Sequence, residues 1–534
     1  MAGLSNREIA DVFREIEVLL RVLGEDEGRA QAYGRVAWQI ERMEASAADL
    51  AAAGRLVETK GIGPRIQASV AELVDRGTCT RLEELLARVP AGLPELLRVP
   101  GLGPSRLHVV LRELKVESLE GLKAVATDGR LEALKGFGEK STAKIREGIA
   151  FLERSRGSLR MDDAERLARD WIARLGLEEA QVAGPLRRGE PLVDAIAIVA
   201  VGTPEEVPVP GAARDGDAWS LPKGLHPGIR VRLVPRDRLA RALFEETGPA
   251  DHVAQVLARP GKDRTEEEIY ASRGLFLVPP ERRHACDGQT PVDVVEERDV
   301  QGLVHAHTTW SDGRLSVAGL AEAARGRGYR YLALSDHSRS AQYANGLSVE
   351  RLAAQRAEVD AWNLSNPSFP ILRGTEVDIL PDGTLDYPDE VLAELDFVIA
   401  SVHSSFGQTG KAMTERILRA VRHPHVDILG HPTGRLLLRR DPYAVDMEQV
   451  LAAAAEAGTA VELNANPWRL DLDPSLHARA QELSVTVPIC PDAHAEADLD
   501  LVRWGVIAAR RGGLRAADVP NTRDALGFLE AVAK

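Results

Sequence analysis

Cysteine is nearly missing from this chain. There are three in 534 residues, Cys79, Cys286 and Cys490, far apart and odd in number. That excludes a disulfide framework and leaves no paired-cysteine zinc site. Long apolar runs are missing too: no window approaches the roughly 18 uncharged apolar residues of a membrane span. The first twenty residues, MAGLSNREIADVFREIEVLL, lack the basic-then-apolar pattern of a secretory signal, so a cytoplasmic location is expected. Net positive charge is also absent. The formal charge is −14, which taken alone argues against a nucleic-acid partner. The charge is uneven, however, with 16 Lys/Arg against 13 Asp/Glu over residues 51–150 and an acidic remainder. An acidic C-terminal half suits metal binding equally well.

What is present is ordinary soluble composition, 44% apolar and 28% charged, with enough length for several cores. The first 155 residues read as helices, beginning with Ile9, Val12, Phe13, Ile16, Leu19 and Leu20 at helical spacing. A short pattern then recurs: KGIGPRIQASV at 60–70, PGLGPSRLHVV at 100–110 and KGFGEKSTAKI at 135–145. Each reads as helix, Gly-x-Gly turn, helix. The pairs Gly61/Gly63, Gly101/Gly103 and Gly136/Gly138 allow a tight turn and leave backbone N–H groups free at the next helix's start, where a phosphate can sit. Arg65, Arg106, Lys140 and Lys144 add positive charge there. Three repeats favour contact with a phosphate backbone over plain helix packing. Residues 156–290 turn mixed, with 202–228 read as loop. From about 291, apolar strands alternate with helices to the C-terminus, the signature of a parallel α/β architecture.

Seven strand-like runs stand in that last region: GLVHAHT, YLALSDH, ILRGTEVDI, FVIASVHS, DILGHPT, AVELNANP and VPICPDAH. Six end in residues of metal-ligand type, and one ends in asparagines. In a barrel of parallel strands these ends share one face, where active sites are built. His305 and His307, two apart, point to the same side. His337, Glu376, His403, His431, Asp492 and His494 fall at further strand ends, and Asp312 lies in the loop after the first. Six of these nine are histidine in a chain with 13. Imidazole plus carboxylate without thiolate suits zinc, manganese or iron. Nine ligands exceed one tetrahedral ion, so two or three divalent ions are expected, of the kind that acidify a water and clamp phosphoryl oxygens. Arg435 and Arg469 follow strand ends and could hold a phosphate, salt bridges being the alternative. His108, His252, His284, His423, His425 and His477 are read as surface residues.

The motifs HAHTTWSDG, LSDHS, GTEVDIL, SVHSSF, LGHPTGRLLLRRDPY, NANPWRLDL and DAH resemble the PHP (polymerase and histidinol phosphatase) domain, in the version fused to bacterial family X DNA polymerases. The resemblance covers essentially the whole chain. It implies a multidomain protein: an N-terminal helical domain over 1–80, helix-hairpin-helix fingers over 81–155, an α+β nucleotidyltransferase-like palm and thumb over 156–290, and a distorted (β/α)7 PHP barrel over 291–534. It implies a three-metal site filled by the nine residues above, with Glu376 and Asp492 acting through the ions. It implies 3′–5′ exonuclease or 3′-end-processing activity in DNA repair, on gapped, nicked or 3′-ended DNA.

Laid on the family palm, GPLRRGEPLVDAIAIVAV departs from the pattern. Pro185 takes the serine position, Ala195 and Ala197 take two aspartate positions, and Arg230 takes the third. Glu245 and Glu246 replace an aromatic pair and are expected to add repulsion. Methyl groups cannot ligate a cation and a guanidinium repels one, so the palm is expected to have lost polymerase activity. Arg187 and Arg188 could still touch DNA or stand in a solvated loop. Ser69 stands where lyase-active relatives carry lysine, which argues against that chemistry. The alternatives are a PHP-type small-molecule phosphatase, or a non-catalytic module that binds DNA ends.

Overall fold

A computed structural model describes residues 4–43, 45–209, 211–223 and 227–534. The chain divides into two compact units, Met1–Ser155 and Arg156–Lys534.

The first unit is helical throughout its described residues. Asn6–Val22 opens on a capping box between Ser5 and Glu8. Its predicted stripe is buried at Ile9, Phe13, Ile16, Leu19 and Leu20, with Val12 packed at the edge. In each hairpin the residue between the glycines is the plug: Ile62, Leu102 and Phe137 are buried. The first glycine takes left-handed backbone, φ +90° at Gly61, +85° at Gly101 and +91° at Gly136, which a side chain resists. The second precedes the next helix, Pro64–Arg76, Pro104–Leu114 or Glu139–Ser155. A Cβ at Gly63, Gly103 or Gly138 would meet nothing within 4 Å. Packing within the protein therefore does not explain the second glycine.

The second unit opens with a five-stranded sheet, ordered Gln181–Ala183, Ala195–Val201, Gly228–Val234, Ala218–Leu221, Ala213–Asp215. Ala195–Val201 and Gly228–Val234 run parallel, and the other pairs are antiparallel. The last two strands correct the sequence reading of 202–228 as loop. Gly216 (φ +59°) turns a hairpin there, and Ala218 is buried in it; Pro210 and residues 224–226 lie outside the described residues. A two-stranded ribbon, Leu159–Arg160 with Leu192–Val193, flanks the sheet.

One apolar core runs from this sheet into the C-terminal region, joining Met161, Ile196 and Ile198 to Leu303, Val377 and Leu463. Ion pairs tie the seam, Arg510–Glu281 (2.8 Å) and Arg503–Glu165 (2.7 Å). Arg160 also stacks 3.5 Å over the Trp468 ring.

The C-terminal region is a curled parallel sheet. Six strands follow in order from Gly302–Val304 through Tyr331–Leu334, Ile371–Asp378, Phe397–Ser401 and Ile428–Leu429 to Ala460–Val461. Leu463–Asn464 continues the sixth and pairs with Ile489–Cys490. A parallel bridge, Ala306 with Ala493, brings the last strand back to the first. This is the distorted seven-stranded ring expected of the sequence. Phe528, on the C-terminal helix Ala525–Val532, packs with Tyr331 and Phe397 in a separate apolar cluster of the sheet.

Candidate metal centre

The strand ends turn sharply where the candidate ligands stand. His305 (φ +67°), His431 (φ +21°) and Asp492 (φ +54°) all hold left-handed backbone. This conformation is unfavourable for non-glycine residues and persists where the surroundings over-determine it, often at functional sites. The surroundings do so here. Ala493 bonds across to His305 and His307. The His431 N–H donates to Glu462, and His305 Nδ1 lies 2.5 Å from Glu462 Oε1. His403 Nδ1 lies 2.6 Å from Asp378 Oδ1. Asp336 accepts from the Thr308 and Ser311 backbones (2.8 and 3.2 Å), fixing the loop that carries Asp312.

The nine candidates converge. Glu376 is the hub: one oxygen is 3.3 Å from His403 Nε2 and 3.0 Å from His431 Nε2, the other 3.0 Å from His337 Nδ1 and 3.4 Å from His305 Nε2. Asp492 Oδ1 lies 3.2 Å from His307 Nε2 and 3.6 Å from His305 Nε2. Asp312 Oδ1 faces His494 (3.4 Å), His337 (3.8 Å) and His307 (4.0 Å). Three groupings have ligand atoms close enough to share an ion: His307, Asp312, His337 and His494; His305, His307 and Asp492; His337, Glu376 and His403.

Buried ring nitrogens of His305, His307, His337 and His431 make no well-aligned hydrogen bond, although carboxylate oxygens lie 3.4, 3.2 and 3.0 Å from nitrogens of the first three. Unsatisfied buried polar atoms are costly, and divalent ions would satisfy them. The donor set of imidazole and carboxylate fits such ions.

Charge supports the same fit. Burial alone would raise Asp312, Glu376 and Asp492, yet the surrounding imidazoles hold all three below the usual carboxylate range. Burial opposes a proton on His403 and His494, but Glu376 with Asp378, and Asp312 with Asp492, push them up to about 10 and about 9. His305 is raised likewise, chiefly by Glu462. His307 goes the other way, to about 3, through burial and the neighbouring His494 and His337. The cage thus draws in positive charge, as protons where no ion is bound, so ion binding would displace protons.

The two arginines separate. Arg469 Nε is 3.7 Å from Asp492 Oδ2 and faces the cluster. Arg435 is buried and engaged elsewhere, donating to the Arg469 carbonyl (2.7 Å), to Asp473 and to the Leu470 carbonyl. It holds the Arg469 turn and offers no free fork to a phosphate. Sequence reasoning missed Glu462, Asp378 and Asp336, and also Asn464, whose Nδ2 donates to Asp492 (3.1 Å). Glu462 and Asp378 each stand two residues from a polar strand-end group, Asn464 and Glu376, so strand alternation was the available signal. Among the six histidines read as surface residues, only His284 is exposed. His252 and His477 are buried, and the other three are half-buried. His252 is held by Tyr270 and His477 by the Leu472 carbonyl.

In the middle sheet, Ala197 pairs with Arg230 in register, and the Gly184 turn approaches the Ala197 methyl. Ala195 pairs with Gly228 on the same strands, while Pro185 lies within the helical turn Gly184–Arg187. Glu246 binds Arg230 (3.0 Å) and Glu245 binds Arg232 (2.9 Å). The two glutamates are therefore neutralised, correcting the expected repulsion. Arg187 pairs with Glu266 (2.5 Å) and Arg188 with Glu190 (2.7 Å), so neither stands in a solvated loop. Asp194 turns to Lys223 (3.0 Å).

In the first unit, Arg65, Lys140 and Lys144 are exposed beside their hairpins. Arg106, also exposed, caps the Gly101 carbonyl (3.1 Å). A cavity of about 490 Å³ at Gly61 is lined by Arg29, Arg35, Arg65 and Tyr33; Arg29 and Arg35 carried no motif that would have marked them.

Comparison with known proteins bears on each part. The family model described as a helix-hairpin-helix domain matches residues 4–79, and one described as a SAM-like helix-hairpin-helix tandem matches 93–150. The DNA polymerase/3′-5′ exonuclease PolX of Bacillus subtilis is 35% identical, across 97% of this chain and 98% of its own length. A probable phosphatase of Thermoanaerobacter sp. is 28% identical across 36% of this chain and 86% of its own length. Another, from Shewanella sp. (strain ANA-3), is 35% identical across 23% of this chain and half of its own.

Proposed function

Since the chain belongs to the PolX family of bacterial DNA polymerase/3′-5′ exonucleases, we propose that it is a DNA-binding phosphodiesterase of DNA repair whose hydrolytic centre is the C-terminal barrel. In this reading, residues 1–80 and 81–155 grip DNA by its backbone, 156–290 is a polymerase palm and thumb without polymerase activity, and 291–534 is the hydrolase. The substrate is gapped, nicked or 3′-ended DNA, trimmed from its 3′ end. The observation that carries the proposal is the set of buried imidazole nitrogens on His305, His307, His337 and His431 that make no well-aligned hydrogen bond although three carboxylates stand among them.

The nine candidates His305, His307, Asp312, His337, Glu376, His403, His431, Asp492 and His494 would hold two or three divalent ions of zinc, manganese or iron. Such ions supply Lewis acidity to phosphoryl oxygens and acidify a water. The chain's own groups do the rest. Glu462 and Asp378 orient His305 and His403 through their second nitrogens, as outer partners do in metal sites. Arg469 places a permanent positive charge beside the acids, where a phosphate's developing charge needs one. Hairpin backbone N–H groups and Arg65, Arg106 and Lys140 bind phosphates without reading bases, so weak sequence preference is expected.

A labelled gapped duplex incubated with manganese, with and without nucleotides, tests the whole reading. Shortening without extension is expected. Extension by a His305→Ala/His307→Ala variant would overturn the assignment to the palm of a non-polymerising role. Retained shortening in that variant would overturn the metal-centre assignment. The phosphatase relatives favour a second reading, hydrolysis of small phosphate monoesters; turnover of such an ester, unaffected by competing DNA, would support it.

A further inference from the structure

The loop leaving His337 carries a feature that the metal centre does not use. From Ser338 the chain runs outward and returns at Leu347, which donates its N–H to the His337 carbonyl (2.8 Å). Ala341 and Ala344 are buried and anchor the loop. Tyr343, between them, is 71% exposed. Every other aromatic residue of 291–534 is buried or half-buried. The Tyr343 ring centroid lies 6.2 Å from that of His337 and 6.4 Å from that of His403, at the mouth of the centre.

The loop that carries the ring is tied down. Asn345 (φ +55°) donates Nδ2 to the Trp310 and Ser311 carbonyls (3.1 and 3.2 Å). Arg351 donates to the Asn345 and Gly346 carbonyls (2.9 and 3.2 Å) and to the Trp310 carbonyl. Gly346 leaves no room for a side chain, since a Cβ would fall 1.9 Å from the Ser338 carbonyl. Trp310 and Ser311 immediately precede Asp312, so the ring-bearing loop is tied to a ligand-bearing one. Such fixing limits the entropy that a binding partner would otherwise have to remove.

We propose that Tyr343 is a stacking platform for the base of the nucleotide whose phosphate is drawn among the imidazoles. The proposal rests on the phosphodiesterase reading and names the substrate class within it: a single-stranded 3′ terminus bearing a base. An exposed ring on a tied-down loop beside a phosphate-processing centre lies where that nucleotide's base would fall, and stacking tolerates any base because each has a π-face. Trp310, also near the mouth, is committed elsewhere, its Nε1 donating to Glu358 (2.8 Å).

The full-length chain, with manganese, is mixed with an oligonucleotide carrying 2-aminopurine at its 3′ end and a nuclease-resistant phosphorothioate at the terminal linkage. The wild type and Tyr343→Phe should quench the fluorophore, and Tyr343→Ala should not. With ordinary linkages, Tyr343→Ala should lose about tenfold in kcat/KM, mainly through KM, on a base-bearing end. Tyr343→Phe should stay near wild type, and an abasic 3′ end should not distinguish the three. Leu364→Ala, an exposed helix residue outside the Tyr343 loop and the ligand set, serves as control. Equal loss on base-bearing and abasic ends, failure of phenylalanine to rescue, or undiminished quenching by Tyr343→Ala would overturn the proposal. If the wild type cuts no oligonucleotide, the phosphodiesterase reading falls, while the quenching assay, which needs no turnover, still decides on Tyr343.

Discussion

The middle region sets two helix-borne acids against a strand of its sheet, the C-terminal barrel gathers acids at and beyond the ends of its parallel strands, and the two neutralise them in different ways. In the sheet, Glu246 and Glu245 face Arg230 and Arg232. A guanidinium is always charged, so the balance is permanent and no exchangeable cation is called for. In the barrel, Glu376, Asp492 and Asp312 face imidazoles, which are neutral or charged according to their surroundings. That balance is provisional, and a divalent ion can take the protons' place. The contrast teaches that exchangeable counter-charge, rather than the number of acids, marks the region able to do metal chemistry.

The sharpest way to break the comparison is to apply one isosteric change to both hubs. Glu376→Gln removes the charge that four imidazoles share. Hydrolysis should fall by at least about 10³-fold, with loss of bound metal measured by atomic emission. Glu246→Gln in the sheet should leave hydrolysis within about twofold. A similar loss from both would mean that the two regions form one catalytic system.

Acid should strain both regions alike, because each buries a packing histidine. Burial pushes His477 in the barrel and His252 in the middle region down to about 4. Both folded values lie below the ordinary 6.5. Their stabilising contribution is therefore fully present above pH 6.5 and is lost as pH falls toward 4. For His477, fully buried, that is about 3 kcal/mol. Urea midpoints between pH 7.5 and 4.5 should fall in the wild type and fall less in His477→Asn. An unchanged slope would show that other groups govern acid unfolding.

Most of the architecture was legible because its signals are local. Glycine at Gly61, Gly101 and Gly136 answers to a positive φ, and strands ending in histidine announce a shared face. The supporting residues were less legible, for a physical reason: Glu462 and Asp378 differ from ligands only in reaching the far nitrogen of a histidine, and spacing does not encode which nitrogen is met. Arg435 was left between a phosphate and a salt bridge because a buried guanidinium clamping carbonyls and Asp473 looks in sequence like one clamping a phosphate. His252 and His477 were taken for surface because they follow no strand, yet helices bury residues too. Glu462→Gln measures how much the unread layer contributes. Metal affinity should weaken by roughly 10–100-fold, by titration against a chelator, with the ligands themselves intact.

Smaller effects are expected where the middle sheet is disturbed. Arg230→Ala leaves Glu246, mostly buried, with only the more distant Arg232 at 3.7 Å. Stability should drop by about 1–2 kcal/mol in urea unfolding, the size expected for a partly buried charge losing its partner. Hydrolysis should be unaffected, because the proposed reading gives the sheet no part in it beyond the shared core and ion pairs of the seam.

The smallest effect should come from restoring one acid to the sheet. Ala197→Asp places a carboxylate in register with Arg230. The nearest partner for the new charge is the guanidinium, in competition with Glu246, so an internal ion pair should form where polymerase chemistry would need an open cation site. Calorimetric titration with manganese should find no additional equivalent bound relative to wild type, and hydrolysis should stay within about twofold. Combining Ala197→Asp with Arg230→Ala removes the competing cation, yet still provides one new acid where two ions must be held by several. An extra manganese equivalent in the single variant would mean that the guanidinium does not close the old site, and the contrast between fixed and exchangeable counter-charge would fail.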